Sequence, residues 1–181
     1  MPSIQTHIII NASPEEVRQV LFDYKSFFSW NPFMTHFQKF TNQETSELEV
    51  GDELQIDLKL KGTNHTSTIY PKILEKSDDK LVWQGNLIHP WIFYGTHSFD
   101  ISLLESAEDS SETGGGEASG GEKTVFGQSE VFGGLLVYFL QILGVFRKTQ
   151  ESFKEFNEAL KDQVEKKKKK KKQITKGNLT T

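Results

Sequence analysis

Residues 135–146 (LLVYFLQILGVF) constrain this chain more than any other stretch. Apart from Gln141 and Gly144 every residue there is apolar, counting Tyr138. The run is too short to cross a bilayer, which takes about 20 apolar residues. It is also apolar all round, whereas a helix with one wet side shows a stripe. The pattern then changes. Phe153, Phe156, Leu160 and Val164 recur at spacings of three and four among charged residues, which predicts an amphipathic helix. We read the two together as one long C-terminal helix whose first half is enclosed on most sides. A sheet wrapped around the helix would enclose it, and such a sheet leaves an apolar hollow beneath.

The rest of the chain supplies that sheet. Residues 4–10 are rich in β-branched side chains and read as a first strand. Ser13-Pro14-Glu15-Glu16 then opens a helix: Ser13 and Glu16 form a capping box, and Pro14 suits the first helical position. Residues 24–33 are aromatic and interrupted by Pro32, a second short helix or turn. Strands are expected at 37–42, 54–60, 66–76, 81–88, 93–104 and 124–132. Strict alternation is clearest at Leu54, Ile56, Leu58 and Leu60. Seven strands, two short helices after the first of them and a closing helix make an α+β chain with a curved antiparallel sheet and one dry face.

At 181 residues, one domain with a sizeable core is expected over residues 1–165. The absence of Cys excludes disulfides, thiolate metal sites and a thiol nucleophile. No basic segment followed by an apolar core opens the chain, and no Arg precedes Arg18, so neither a secretory signal nor a mitochondrial presequence is expected. The location expected is cytoplasmic or nuclear, and the sequons at Asn64 and Asn178 read as chance matches. The net charge of −4 hides a division: residues 166–181 hold eight Lys and no acid, whereas 105–122 hold six acids and no base. The folded body carries no uniformly basic surface, so no nucleic-acid partner is expected. Segment 105–122, acidic and Gly/Ser-rich, is expected to be a disordered loop expanded between neighbouring strands. The run from Lys166 to Lys172 reads as a disordered, solvated tail, a nuclear-import signal, or a contact for an anionic membrane surface. A monomer is expected.

The motifs occur in a telling order: Ala12-Ser13-Pro14-Glu15-Glu16-Val17, Trp30-Asn31-Pro32-Phe33, Val50-Gly51-Asp52, Leu81-Val82-Trp83-Gln84-Gly85, Phe93-Tyr94-Gly95-Thr96-His97-Ser98-Phe99, Gln128-Ser129-Glu130-Val131-Phe132, and Phe153 to Lys161. In that order the chain resembles the START/polyketide-cyclase-like superfamily (SRPBCC), whose fold is called helix-grip. The resemblance implies a seven-stranded antiparallel sheet curled around a long C-terminal helix. It also implies a cavity between them for a hydrophobic small molecule. The superfamily holds cyclases and dehydratases as well, so the fold alone does not assign an activity. Related sequences often have His where Gln128 stands, and the acidic loop and Lys run are additions to the core pattern.

Strand parity names the side chains that face the hollow. Phe93, Gly95, His97, Phe99, Ile101 and Leu103 share one face, matched by Leu81, Trp83, Gly85 and Leu87 on the strand before. On the last strand Phe126, Gln128, Glu130 and Phe132 share one face and Val125, Gly127, Ser129 and Val131 the other; parity leaves both open, and the Phe-bearing face, favoured here, brings Gln128 and Glu130 near His97 when turned inward. These three polar groups have three readings. They satisfy one another, they orient a ligand's polar group, or His97 and Glu130 carry protons for chemistry on a bound ketone or phenol. The aromatic cluster of Trp30, Phe33, Trp83, Trp91, Phe93 and Tyr94 reads as ordinary core or as a stacking surface. The ligand-binding candidates are therefore Trp30, Phe33, Trp83, Phe93, His97, Phe99, Phe126, Gln128 and Glu130 from the body, with Leu136, Phe139, Leu140 and Leu143 from the apolar run. Neither a Gly-x-Ser-x-Gly elbow nor a phosphate loop is present, and the five His lack metal-ligand spacing. No metal or cofactor is expected. Binding or carrying a hydrophobic molecule is the first reading, a cyclase/dehydratase-like enzyme in the same cavity the second, and membrane or partner docking through the Lys run the third.

Overall fold

The computed structural model describes residues 1–40, 47–104 and 122–178, with side chains as far as Thr175. β1 (Ser3–Ile10) leads into α1 (Pro14–Leu21), whose start carries the expected reciprocal cap. The Glu16 N–H donates to Ser13 Oγ at 3.2 Å, and the Ser13 N–H donates to the Glu16 carboxylate at 3.1 Å. Val17, Val20 and Leu21 turn that helix's apolar stripe into the core. A 3₁₀ turn (Tyr24–Ser26) and the single-turn α2 (Phe27–Trp30) follow. Asn31 Oδ1 then accepts from the N–H groups of Phe33 and Met34 at 3.0 and 2.8 Å, steering the chain past Pro32. β2 (Met34–Lys39) starts three residues ahead of the expected strand.

β3 (Leu54–Lys59) precedes the main departure in the sheet. The strand expected over 66–76 is cut at Tyr70-Pro71 into β4 (Thr66–Ile69) and β5 (Lys72–Lys76), so the described residues form eight strands, not seven. Pro71 lacks an N–H and cannot continue a ladder through a central position. Its carbonyl instead accepts from the Leu54 N–H at 2.8 Å, and a Glu53–Lys72 bridge holds the joint. β6 (Lys80–Asn86), β7 (Tyr94–Leu103) and β8 (Thr124–Gly133) complete two sheets, ordered β1-β8-β7-β6-β5 and β2-β3-β4, antiparallel throughout. The break at Pro71 lets one curved surface bend in two around the terminal helix, which is the expected helix-grip arrangement.

That helix differs from its expectation in two ways. The apolar run is not the gripped segment. It forms a separate short helix, α3 (Val137–Ile142), set off from α4 (Val145–Asn178) by Gly144 at φ +72°. Glycine adopts that left-handed conformation without the clash a Cβ brings, so the helix ends there. Leu135, Tyr138, Phe139, Ile142 and Leu143 are exposed, while Val137 and Phe146 are buried. What the sheet grips is the amphipathic stretch, whose Phe153, Phe156, Leu160 and Val164 are buried, joined by Phe146 from the end of the apolar run. Apolarity all round bars a segment from a watery position but does not say which surface covers it.

The Lys run, expected to be disordered, continues α4. Lysine is a good helix former, and the acids of the first helical region stand opposite. Lys168 Nζ donates to the Asn11 carbonyl at 2.8 Å and lies 3.4 Å from Glu16; Lys167 lies 3.9 Å from Asp23. The acidic segment expected at 105–122 lies, except for Glu122, outside the described residues. At its base the Leu104 N–H donates to the Lys123 carbonyl at 2.8 Å.

Candidate functional site

The space between sheet and helix is filled unevenly. At one end Phe27, Phe99, Phe126, Phe153 and Phe156 are fully buried, with Phe99 stacked on Phe156 at 5.3 Å and Phe126 on Phe156 at 6.0 Å. Trp30 closes this packing, 5.6 Å from Phe156. At the other end the sheet carries less bulk. Gly85 on β6 and Gly95 on β7 are cross-strand partners on the inward face, so two neighbouring positions lack side chains. The space left is a cavity of about 350 Å³. Its walls are Phe33, Leu58, Leu60, Ile69, Trp83, Phe93 and Phe132 from the sheet side, with Leu140 of α3 and Val145 and Thr149 of α4. Polar atoms are sparse: Thr63, His65, Ser67 and Asn86 at its border, and Glu130 in the wall.

Glu130 is the chemically distinctive group. It pairs with His97 across β7 and β8, so the two side chains emerge on the same face as neighbours. Its carboxyl reaches across to Gly95, where a Cβ would collide with Oε1. The carboxyl forms no hydrogen bond or ion pair among the described residues. Burial without a cation pushes its pKa up to about 8. At neutral pH it is a carboxylic acid with an O–H to donate into an apolar space.

His97 is 4 % exposed and lies behind the wall. Its ring stacks on Trp83 at 4.5 Å and 16°, and meets Phe99 and Phe153 edge-on at 4.9 and 4.8 Å. Nε2 has no hydrogen-bond partner among the described residues, and burial pushes the imidazole pKa down to about 3, so the ring stays neutral. His97 and Glu130 share a face without a hydrogen bond between them.

Gln128 has a different role from the one sequence parity suggested. It does turn inward, but beneath α4 rather than to the cavity. Its Nε2 donates to Asn157 Oδ1 at 2.5 Å and to the Phe153 carbonyl at 3.3 Å, and Asn157 Nδ2 donates to Thr6 Oγ1 at 3.2 Å. This chain fastens the helix to β1 and β8 and leaves Gln128 without a free donor for a ligand.

Of the sequence-named candidates, Phe33, Trp83, Phe93, Glu130 and Leu140 line the cavity. Trp30, Phe99, Phe126, His97 and Gln128 belong to the solid part of the core or its polar fastening. Leu136 is half-buried, and Phe139 and Leu143 are exposed, as is Trp91; none of the four lines the cavity. Leu58, Leu60, Ile69, Val145 and Thr149 were not among the candidates. The alternation over 54–60 was the available signal for the first two. Among the described residues no group of His, Asp and Glu is placed to hold a metal ion.

No family model matches the chain, and no curated protein matches it. Solved structures do. A START superfamily protein from Mycobacterium smegmatis superposes with TM-score 0.61 at 14% identity, over 91% of this chain and 97% of that one. Norcoclaurine synthase of Thalictrum flavum, solved with a transition state analogue, gives TM-score 0.61 at 12% identity, over 92% and 96%. The Zhui aromatase/cyclase of Streptomyces sp. R1128 gives 0.58 at 8%, over 91% and 93%. The chain therefore has the START/polyketide-cyclase-like fold.

Proposed function

We propose that this chain binds and carries a small hydrophobic molecule in the cavity beside Gly85 and Gly95, with the Glu130 carboxyl as its polar handle. One observation carries the reading: an apolar hollow, made by a pair of facing glycines, with an unpartnered acid in its wall. Sites of this kind bury most of a ligand against apolar walls and fix its orientation with few polar groups. The volume of about 350 Å³ sits near the lower end of the roughly 300–1,000 Å³ typical of ligand pockets. That favours one ring system or one chain over a double-chained lipid. A neutral carboxyl donates, so the ligand's polar end is an acceptor such as a carbonyl, ether or phenol oxygen.

The test is titration of delipidated protein with a neutral hydrophobic fluorescent probe. Saturable binding of one probe per chain is expected, with loss in Gly85→Leu. At Gly85 a Cβ meets only Pro71 and Ile69 at 3.7 and 3.9 Å, so the larger side chain enters the hollow without forcing the backbone. A folded protein that takes up no probe, or a Gly85→Leu variant that binds as well as the parent, overturns the reading.

An enzyme reading draws on the same acid, since a carboxyl with a pKa near neutrality is suited to proton transfer. Glu130 alone would carry it, because His97 lies behind Trp83. Turnover of a bound ketone or phenol that Glu130→Gln abolishes while probe binding persists would favour this reading over carriage.

A further inference from the structure

The Lys run is a motif that the cavity does not use. It lies roughly 30 Å along α4 from the cavity wall at Val145, at 1.5 Å per residue. Its helical conformation sorts the lysines onto faces. Lys167, Lys168 and Lys171 turn towards α1, in line with the buried Val164 one turn before. Lys166, Lys169 and Lys170 stand on the opposite face and are exposed. Between α4 and α1 runs a groove of about 220 Å³. Val20 and Val164, both buried, form its floor; Glu16 and Gln19 form one wall and the three lysines the other. Hydrogen bonds hold the walls in place beside it. The Asn11 N–H and side-chain amide both donate to the Glu165 carboxylate, at 3.2 and 3.0 Å, and Lys168 Nζ donates to the Asn11 carbonyl at 2.8 Å.

The charges of this groove do not balance. Three ammonium groups face the Glu16 carboxylate, and Asp23 flanks Lys167 at 3.9 Å, so three cations stand against two acids. Glu16 is divided between two partners: it accepts from the Ser13 N–H at 3.1 Å and lies 3.4 Å from Lys168. Lys171 meets a neutral group, the Gln19 amide oxygen at 3.4 Å. Lysines three and four apart also repel one another along the helix surface. We infer that the groove is a binding site for a small anion carrying two or more phosphate groups, either free or as the headgroup of a lipid. A monovalent ion pairs one ammonium and leaves the others repelling; linked phosphates engage all three, and the lysine ammonium is a point-charge phosphate donor. The valine floor thins the water around these pairs and strengthens them relative to pairs on an open surface. The concave shape selects a small ligand. A nucleic-acid duplex or a flat anionic surface meets convex ridges first, and Lys166, Lys169 and Lys170 form the ridge. The groove ammoniums lie behind it, within reach of a compact anion or of a headgroup whose phosphates project clear of the bilayer.

The experiment is calorimetric titration of the full chain with tripolyphosphate, beside flotation with phosphatidylcholine vesicles with and without phosphatidylinositol bisphosphate. Saturable binding of one tripolyphosphate per chain is expected, weakening as salt rises. Two double variants remove the same charge at the same spacing along the helix: Lys167→Gln with Lys171→Gln on the groove face, and Lys166→Gln with Lys170→Gln on the opposite face. Glutamine is close to lysine in helix propensity, so both keep the helix. The groove pair is expected to weaken binding by about tenfold or more, because charge-assisted hydrogen bonds are lost, and the opposite pair by no more than about twofold. Glu16→Gln keeps the capping box and removes the competing carboxylate, so tighter binding is expected. Uptake of a hydrophobic probe by the cavity is expected to be the same in every variant, which separates this site from the carrier reading. Vesicle uptake that requires the bisphosphate lipid and is displaced by tripolyphosphate assigns the phosphates to a headgroup; tripolyphosphate binding without vesicle uptake assigns them to a soluble ligand. Three results overturn the inference. One is the absence of saturable tripolyphosphate binding. Another is an equal loss in the two double variants, the mark of a diffuse polycation. The third is a short DNA duplex that binds tightly and is not displaced by tripolyphosphate, which would assign the run to nucleic acid.

Discussion

His97 and Glu130 give this protein a stability profile with a defined shape. Unfolded, the imidazole takes up a proton below its ordinary 6.5; folded, it stays neutral down to about 3. The unfolded state therefore binds the extra proton, and stability falls as the pH drops from 6.5 towards 3, by about 1.4 kcal/mol per pH unit. Glu130 acts in the opposite sense. Unfolded, it ionises above 4.5; folded, it keeps its proton to about 8, so stability falls as the pH rises through that window at the same slope of about 1.4 kcal/mol per unit. Between pH 4.5 and 6.5 both slopes operate and cancel. The account predicts a plateau there, a loss of about 2 kcal/mol between pH 6.5 and 8, and a similar loss of about 2 kcal/mol between pH 4.5 and 3. Urea unfolding of delipidated protein, at fixed ionic strength across this range, measures it. Glu130→Gln is expected to flatten the alkaline limb and turn the plateau into part of the acid limb, which then begins at pH 6.5; His97→Phe is expected to flatten the acid limb and start the alkaline one at pH 4.5. Stability that rises from pH 6.5 to 8 would refute the reasoning, as would either variant keeping the parent profile.

Filling the cavity from Gly85 should also show without ligand: delipidated Gly85→Leu is expected to unfold later in urea by about 1–2 kcal/mol, from added apolar burial and a less flexible unfolded chain. Gly95→Ala collides with Glu130 and should cost about 1–3 kcal/mol. The same change in a Glu130→Ala background should cost much less, and a double-mutant cycle reads the difference. Gln128→Leu removes both hydrogen bonds that Gln128 Nε2 donates to α4 and leaves Asn157 Oδ1 without its donor. A loss of about 1–3 kcal/mol is expected by urea unfolding, with probe binding unchanged.

Much of this architecture is legible in the sequence, and what was not has a physical cause in each instance. Strand parity puts His97 and Phe99 on one inward face; for the last strand it leaves two faces open, and Phe126 and Phe132 favour the one that carries Gln128 and Glu130. Parity does not say where along the helix each side chain lands: it points Gln128 at the hollow, whereas the side chain fastens Asn157. Pro71 sits in a well-alternating segment, and the pattern hid the break that its missing N–H forces. The apolar run at 135–146 reads as enclosed because it lacks a polar face; the chain instead breaks at Gly144, and Leu135, Tyr138, Phe139, Ile142 and Leu143 stand exposed. Lys166 to Lys172 reads as self-repelling and disordered, since Glu16 and Asp23, which stand opposite it, are about 150 residues away in the chain. Gly85 and Gly95 were each on the inward list, but a cavity follows only once the register pairs them.

Native mass spectrometry of the delipidated full chain, mixed with a neutral hydrophobic probe, tests the central claim most directly. The account predicts one bound probe per chain at saturation, and none in Gly85→Leu under the same conditions. A parent protein that stays unloaded at saturation, or one that picks up several probes whatever stands at position 85, would contradict it.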